Sequence, residues 1–233
     1  MIRLVAPVLL LCCAVIADAQ SPQRVRIVLV GDSTVTDDSG WGLGFKQSVK
    51  EPAECINTAA NGRSSKSFID EGRWKDALAL EGDYYLIQFG HNDEPGKGPE
   101  RETDPATTYT QFMGRYVDEA RAIGATPILV TSLTRRIFDK SGSGKIVSTQ
   151  TPYVDAVRML AAGKRVPLLD LFARSVELSE RMGDAALVDL SPTNPATGGV
   201  DTTHLNAKGS VIFAHLVVEE LRKTVPNLAP WLR

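Results

Sequence analysis

Short apolar runs rich in β-branched residues recur along the chain and alternate with segments of helix length. Such runs lie at residues 25–30, 84–89, 127–131 and 166–171, and a weaker one lies at 55–58. A continuous apolar run of this length is typical of a strand that is buried on both faces of a sheet. Because helix-length segments separate the strands, the strands should pair in parallel through right-handed crossovers. The pattern predicts an α/β fold, a five-stranded parallel sheet between two layers of helices.

The segments between these runs have the periodicity of helices or the composition of loops. Apolar residues at three- and four-residue spacing, with prolines at helix boundaries, predict helices at residues 109–123, 152–163 and 207–224. Stretches rich in Gly, Pro, Ser and Thr predict long loops at residues 95–105, 141–151 and 191–203. In an open parallel sheet, ligands bind outside the carboxyl ends of the strands, so we expect the functional residues there.

The N-terminus has the order of a secretion signal. Arg3 precedes an apolar run at residues 4–16, and the small residues Ala17 and Ala19 stand where signal peptidase cleaves. The run is shorter than the roughly 20 residues that span a bilayer. We therefore expect residues 1–19 to be a signal peptide and residues 20–233 to form a single domain that is secreted or periplasmic.

Charge and cysteine content exclude several kinds of partner. A formal net charge of −2 provides no clustered basic surface for nucleic acid or, after signal cleavage, for a membrane. Cys12 and Cys13 leave with the signal, so Cys55 cannot form an internal disulfide and is expected to be a small buried hydrophobe. Because the chain has only three His residues and no cluster at metal-ligand spacing, neither a metal nor another cofactor is expected.

Polar turns follow three of the predicted strands at their carboxyl ends. Residues 31–34 are Gly-Asp-Ser-Thr, residues 61–64 are Asn-Gly-Arg-Ser, and residues 90–93 are Gly-His-Asn-Asp. Asn92 and the backbone N–H of Gly62 are candidate donors to a developing oxyanion. Each turn taken singly also fits an ordinary bend or helix cap.

The candidate nucleophile and its base lie far apart in the chain. Ser33 lies in the first of these turns, and His204 precedes the last predicted helix. A histidine accepts the proton of a serine hydroxyl when a carboxylate orients its other ring nitrogen, and Asp201 has a suitable spacing. The alternative is that Asp201 and Asn206 merely cap the helix.

Together these motifs match, in order, the four blocks of the GDSL or SGNH hydrolases. More narrowly, residues 31–34, 61–68, 89–93 and 203–205 look like the rhamnogalacturonan acetylesterase branch. The resemblance implies a flavodoxin-like three-layer α/β/α fold. It also implies that Ser33 is the nucleophile, that His204 is the base and that Asp201 is the acid that orients the base. The implied oxyanion hole is formed by Ser33 N–H, Gly62 N–H and Asn92.

Further residues are candidates for substrate binding. Arg135 and Arg136 follow the strand predicted at 127–131, and a guanidinium there would bind the galacturonate carboxylate of a pectin bidentately. Two adjacent arginines also fit a solvated surface. His91 is a third candidate. Trp41 and Trp74 could either stack on a sugar ring or pack in the core, and the sequence does not distinguish these two roles.

The sequence therefore predicts a serine esterase that removes acetyl groups from a plant cell-wall polysaccharide through an acyl-enzyme. The substrate implied by the resemblance is acetylated rhamnogalacturonan. One alternative is an esterase of other specificity, such as a lipase, a thioesterase or a xylan deacetylase. The other is a carbohydrate-binding protein without turnover, against which the complete set of catalytic residue types argues.

Overall fold

A computed structural model describes residues 24–233, so the predicted signal peptide lies outside the described residues. The five predicted strands form one sheet in the order β2-β1-β3-β4-β5, and every neighbouring pair is parallel. This order is that of flavodoxin-like sheets. The strands are β1 (Arg26–Gly31), β2 (Glu54–Asn57), β3 (Tyr84–Gln88), β4 (Thr126–Val130) and β5 (Leu168–Leu169). The predicted fold class is confirmed.

Helices connect the strands and cover both faces of the sheet. They are α1 (Gly42–Ser48), α2 (Ser65–Asp70), α3 (Arg73–Leu78), α4 (Thr108–Ala122), α5 (Thr151–Lys164), α6 (Leu171–Met182), α7 (Asp184–Leu187) and α8 (Ala207–Thr224). Two 3₁₀ segments, Val188–Leu190 and Pro226–Trp231, flank α8 in the chain. The three predicted helices correspond to α4, α5 and α8.

The side chains of β1 alternate between two hydrophobic cores. Ile27 and Leu29 pack into the core that α1 and α8 cover. Val28 and Val30 point to the opposite face, into the core that α4 and α5 cover. All four side chains are inaccessible to solvent, as expected for a central strand buried on both faces.

The last strand is shorter than the sequence predicts. The apolar run at residues 166–171 forms only the two-residue β5, because Asp170 accepts a hydrogen bond from the N–H of Ala173 and begins α6. The sequence analysis missed α6. Its inward stripe consists of Leu171, Leu178 and Met182, and the buried serines Ser175 and Ser179 interrupt the apolar periodicity that identifies a helix.

Both tryptophans that fit sugar stacking are core residues. Trp41 and Trp74 are 0% and 1% exposed, and their ring N–H groups donate to Gln88 and Glu119. Cys55 is buried, and burial raises the pKa of its thiol to about 12, so it behaves as the predicted small hydrophobe. Within residues 24–233, no helix is long and apolar enough to span a bilayer.

Candidate active site

The end of β1 places Ser33 at the carboxyl edge of the sheet. A side chain at Gly31 would approach Val35 and the carbonyl oxygen of Gln88 to 2.5 and 2.6 Å, so only glycine allows the chain to turn so tightly there. Ser33 is 9% exposed and lines an open cavity of about 480 Å³. That volume is within the range of about 300–1,000 Å³ usual for small-ligand sites.

Asp32 holds the turn that carries Ser33. Its Oδ1 accepts hydrogen bonds from the N–H (2.9 Å) and the hydroxyl (2.7 Å) of Thr34, and Gln88 donates to the same hydroxyl at 2.7 Å. Complete burial raises the pKa of Asp32, against the hydrogen bonds from Thr34, which lower it. The carboxyl of Asp32 faces the interior and therefore stabilises the turn that carries Ser33.

Ser33, His204 and Asp201 form one chain of hydrogen bonds. Nε2 of His204 lies 2.9 Å from Oγ of Ser33, and Nδ1 lies 2.8 Å from Oδ2 of Asp201. Oδ1 of Asp201 accepts the backbone N–H groups of Thr203 (2.8 Å) and His204 (2.9 Å). Burial acts to raise the pKa of Asp201, but these hydrogen bonds outweigh it and hold the pKa below its usual value. The arrangement can deprotonate the hydroxyl of Ser33.

Asp201 and Asn206 have separate tasks, which resolves the alternative left open by the sequence. Asn206 caps α8 by accepting the N–H of Gly209 at 3.0 Å, whereas Asp201 binds the imidazole. The segment before α8 is tied to the nucleophile turn, because Leu205 N–H donates to the carbonyl of Ser39 and the hydroxyl of Ser39 donates to the carbonyl of Ser33.

Arg136 is buried beneath the loop that carries His204. Its guanidinium donates to the backbone carbonyls of Asp201 (3.0 Å), Thr203 (3.3 Å) and His204 (2.5 Å). Arg136 is 2% exposed, and burial lowers its pKa to about 10, so it stays charged at neutral pH. The prediction that Arg136 binds substrate is wrong, because its side chain is buried away from the cavity lining and its terminal nitrogens bind backbone carbonyls and the hydroxyl of Ser191.

Two of the three candidate oxyanion donors, Gly62 and Asn92, lie at the same cavity as Ser33. Gly62 has a φ of +76°, a conformation that favours glycine. One amide hydrogen of Asn92 binds the carbonyl of Arg63 at 3.1 Å, which ties Asn92 to the turn of Gly62. Both line the catalytic cavity. Their role as oxyanion donors stays a prediction.

The buried side chain of Asp93 connects the turn of Asn92 to the segment that follows the turn of Gly62. Its carboxylate accepts the N–H of Ser65 at 3.1 Å and the hydroxyl of Thr103 at 3.0 Å, and it also accepts the hydroxyl of Ser65. Burial raises the pKa of Asp93 to about 7, against these hydrogen bonds, which lower it. Because Ser65 is the first residue of α2, Asp93 fixes the start of that helix relative to the turn that carries Asn92.

Two other predicted binding residues lie at the cavity. His91 lines it but is 3% exposed, and its Nε2 is 2.8 Å from the carbonyl oxygen of Leu133. Burial and, to a smaller extent, the charge of Arg135 lower the pKa of His91 to about 3, so the ring is neutral. Arg135 lines the cavity and forms an ion pair of 2.5 Å with Glu94. Substrate contact by His91 and Arg135 stays a prediction.

Asp38 and Lys97 are charged residues of the cavity wall that were not predicted from the sequence. Lys97 lies in the glycine-rich loop that the sequence predicts at residues 95–105, so the loop was identified but the residue was not. Across residues 24–233, no three or more His, Cys, Asp or Glu side chains are grouped so that they could hold a metal ion.

Comparisons with known proteins agree with this geometry. The model of the GDSL-like Lipase/Acylhydrolase family matches residues 29–212. The rhamnogalacturonan acetylesterase RhgT of Bacillus subtilis is 38% identical, with 85% of this chain and 90% of that protein covered. The rhamnogalacturonan acetylesterase of Emericella nidulans is 29% identical, with 81% of each chain covered.

Solved structures share the architecture. The structure of protein YxiM from Bacillus subtilis has a TM-score of 0.74 and 26% identity, and the match covers 86% of this chain and 56% of that longer chain. An acetylxylan esterase from Geobacillus stearothermophilus, solved as a catalytic mutant, has a TM-score of 0.63 and 17% identity, with coverage of 84% and 94%. At that identity the second likeness shows the fold alone.

Proposed function

The chain belongs to the GDSL-like lipase/acylhydrolase family, and on that premise we propose that it is a serine esterase that removes acetyl groups from acetylated rhamnogalacturonan. The observation that carries the proposal is the continuous hydrogen-bond chain from Ser33 through His204 to Asp201, which opens onto the catalytic cavity. Two relatives named as rhamnogalacturonan acetylesterases, matched over most of their length, support the substrate class.

The reaction proceeds through an acetyl-enzyme. Oγ of Ser33 bonds to the carbonyl carbon of the ester while Nε2 of His204 takes the hydroxyl proton. The carbonyl oxygen becomes an oxyanion, which the N–H of Gly62 and the amide of Asn92 stabilise. The C–O bond to the sugar then breaks, and His204 returns the proton to the departing sugar oxygen. This step leaves acetyl-Ser33 and a free sugar hydroxyl.

A water molecule completes the cycle. His204 takes a proton from the water as its oxygen attacks acetyl-Ser33, and the collapse of the second tetrahedral intermediate returns that proton to Oγ and releases acetate. Asp201, held ionised by its lowered pKa, stabilises the imidazolium in both halves of the reaction.

Acetate release from purified polysaccharides tests the proposal. We expect faster release from acetylated rhamnogalacturonan than from acetylated xylan, faster hydrolysis of 4-nitrophenyl acetate than of the octanoate, and no activity in Ser33→Ala. A preference for the octanoate would indicate a lipase or thioesterase, and a preference for xylan would indicate a xylan deacetylase. Glycan binding without acetate release would indicate a binding protein.

The proposed substrate lies outside the cytoplasm, and the secretion signal predicted at residues 1–19 supports export to the periplasm or the medium. Mass spectrometry of the naturally exported protein should find an N-terminus at or near Gln20. Recovery of the intact chain from Met1 in the cytoplasmic fraction would contradict this part of the proposal.

A further inference from the structure

The catalytic cavity continues into a second cavity on the side of Arg135. This neighbouring cavity has a volume of about 560 Å³, and its lining is formed by Glu94, Pro95, Lys97, Arg135 and Thr149. Lys97 and Arg135 line both cavities, so they stand at the junction between them. A polymeric substrate that places its ester at Ser33 has room to extend past this junction.

The two cations at the junction differ in their partners. Arg135 is neutralised by Glu94, which is 7% exposed and lies 2.5 Å from the guanidinium. The hydroxyl of Thr149 also donates to Glu94 and fixes its carboxylate. In contrast, among residues 24–233 the ammonium of Lys97 has neither an ion pair nor a hydrogen bond, and Lys97 as a residue is half-buried. Lys97 therefore provides the uncompensated positive charge at the junction.

The backbone that carries Lys97 is well ordered by its own hydrogen bonds. Gly96 and Gly98 have φ values of +88° and +98°, and the N–H groups of both donate to Oε1 of Glu102 at 2.8 Å. The ammonium of Lys66, on α2, donates to the carbonyl of Pro99 at 2.7 Å and ties the loop to the body of the protein. The backbone of Lys97 is thus held in place, which reduces the backbone entropy lost when Lys97 binds a ligand.

A negative charge lies elsewhere on the wall of the catalytic cavity. Asp38 accepts hydrogen bonds from the hydroxyl group of Thr36 and from the amide of Asn61. These hydrogen bonds, that of Thr36 above all, hold the pKa of Asp38 below its usual value, although burial opposes them. An anionic group of the substrate is repelled from Asp38 and attracted to Lys97, so the cavity orients a charged glycan.

We propose that Lys97 binds a uronate carboxylate of the substrate and makes the enzyme selective for an acidic glycan over a neutral one. The inference rests on the proposed esterase function and adds the residue that selects the substrate class. Rhamnogalacturonan contains galacturonate, whereas xylan backbones are neutral. Because an ammonium–carboxylate pair at a partly exposed site has modest strength, the selectivity due to Lys97 should be about fivefold.

The test compares two substrates that carry the same acetyl groups but differ in charge. One is an acetylated rhamnogalacturonan oligosaccharide, and the other is the same oligosaccharide with its carboxylates converted to methyl esters. In the wild type, KM should be lower for the acidic form, and added salt should reduce the difference. In Lys97→Gln, KM for the acidic form should rise about fivefold more than KM for the methyl ester. Lys97→Arg should restore most of the preference, since it keeps the charge.

A matched control uses Lys75, an exposed lysine on α3. Lys75→Gln removes the same charge away from the cavity and should keep the wild-type preference. Equal KM values for the two substrates in the wild type, or equal rises in Lys97→Gln, would overturn the role of Lys97 and leave the esterase function intact. If the wild type hydrolyses 4-nitrophenyl acetate but releases no acetate from either oligosaccharide, the polysaccharide function fails, and the inference fails with it.

Discussion

Oγ of Ser33 and Nε2 of His204 lie 2.9 Å apart although 171 residues separate them in the chain. Ser33 follows the central strand β1, whereas His204 lies in the last loop, before α8. The loop reaches the serine because α1 and α8 pack together on one face of the sheet and because Leu205 N–H binds the carbonyl of Ser39. The catalytic arrangement thus depends on helix packing remote from the reacting atoms.

Replacing Ser33 by Ala should abolish turnover without unfolding the protein. The loss of the nucleophile should lower kcat by roughly 10⁴- to 10⁶-fold. Rates on 4-nitrophenyl acetate and labelling by a fluorophosphonate measure the loss, and circular dichroism verifies the fold. Ser48→Ala is the control, because the Ser48 hydroxyl binds the carbonyl of Gly44 within its own helix. Labelling that persists in Ser33→Ala would place the nucleophile elsewhere.

Replacing Asn92 by Ala should remove one oxyanion donor. We expect kcat to fall by roughly 100- to 1,000-fold with little change in KM, because this interaction strengthens mainly in the transition state. Steady-state kinetics on an acetyl ester measure both constants. Because the Asn92 amide also binds the carbonyl of Arg63, thermal unfolding should be recorded in parallel. A rise in KM at constant kcat would assign Asn92 to substrate binding instead.

Replacing Asp201 by Asn should lower turnover and also change its pH dependence. By analogy with other triads, kcat should fall by about 10⁴-fold, since the amide no longer fixes the tautomer of His204. The protonated imidazole loses its stabilising carboxylate, so the acidic limb of kcat/KM should move to lower pH. Asp189→Asn, at a side chain that is 76% exposed, is the control. An acidic limb that stays in place would show that Asp201 does not act on His204.

Replacing Arg136 by Met should destabilise the protein by about 3 kcal/mol, because backbone carbonyls that it binds become buried without partners. The loop of His204 loses its anchor, so kcat should fall as well. The ratio of KM values for the acidic and methyl-esterified oligosaccharides should remain that of the wild type. Arg181→Met, at a side chain that is 66% exposed, provides the comparison for stability. A selective loss of affinity for the acidic oligosaccharide would show that Arg136 binds the substrate.

Asp93 should make the stability of the protein depend on pH. Its pKa is about 7 in the folded protein, against 3.8 for a free side chain. Between these values the unfolded chain is ionised while folded Asp93 retains its proton, so the contribution of Asp93 to stability falls as pH rises. From about pH 5 to about pH 7.5, the wild type should lose about 2 kcal/mol relative to Asp93→Asn, which does not titrate.

Urea unfolding of both proteins at the two pH values measures this difference, and the subtraction cancels the groups that they share. A difference that does not change with pH would show that Asp93 is ionised throughout. The hydrogen bonds from Ser65 and Thr103 would then outweigh its burial.

Local sequence determined most of the fold and predicted Ser33, His204 and Asp201, which the structure joins by hydrogen bonds. Apolar runs specified the strands because burial on both faces excludes polar side chains from them. The turns of Ser33, Gly62 and Asn92 could be placed at one sheet edge, because parallel strands carry their carboxyl ends on the same side. Helix α6 was not found in this way, since the buried serines Ser175 and Ser179 interrupt its apolar stripe.

Only the tertiary structure decided which partners each cation has. Arg135 and Arg136 are neighbours in the chain, yet one lies at the cavity beside Glu94 and the other is buried under the loop of His204. Lys97 carries no ion pair among residues 24–233 although it stands close to an acidic residue in sequence. The physical reason is that a charge acquires its role from burial and from partners brought together by packing, and these partners lie up to 68 residues away. A local sequence pattern therefore cannot identify partners that are so far apart in the chain.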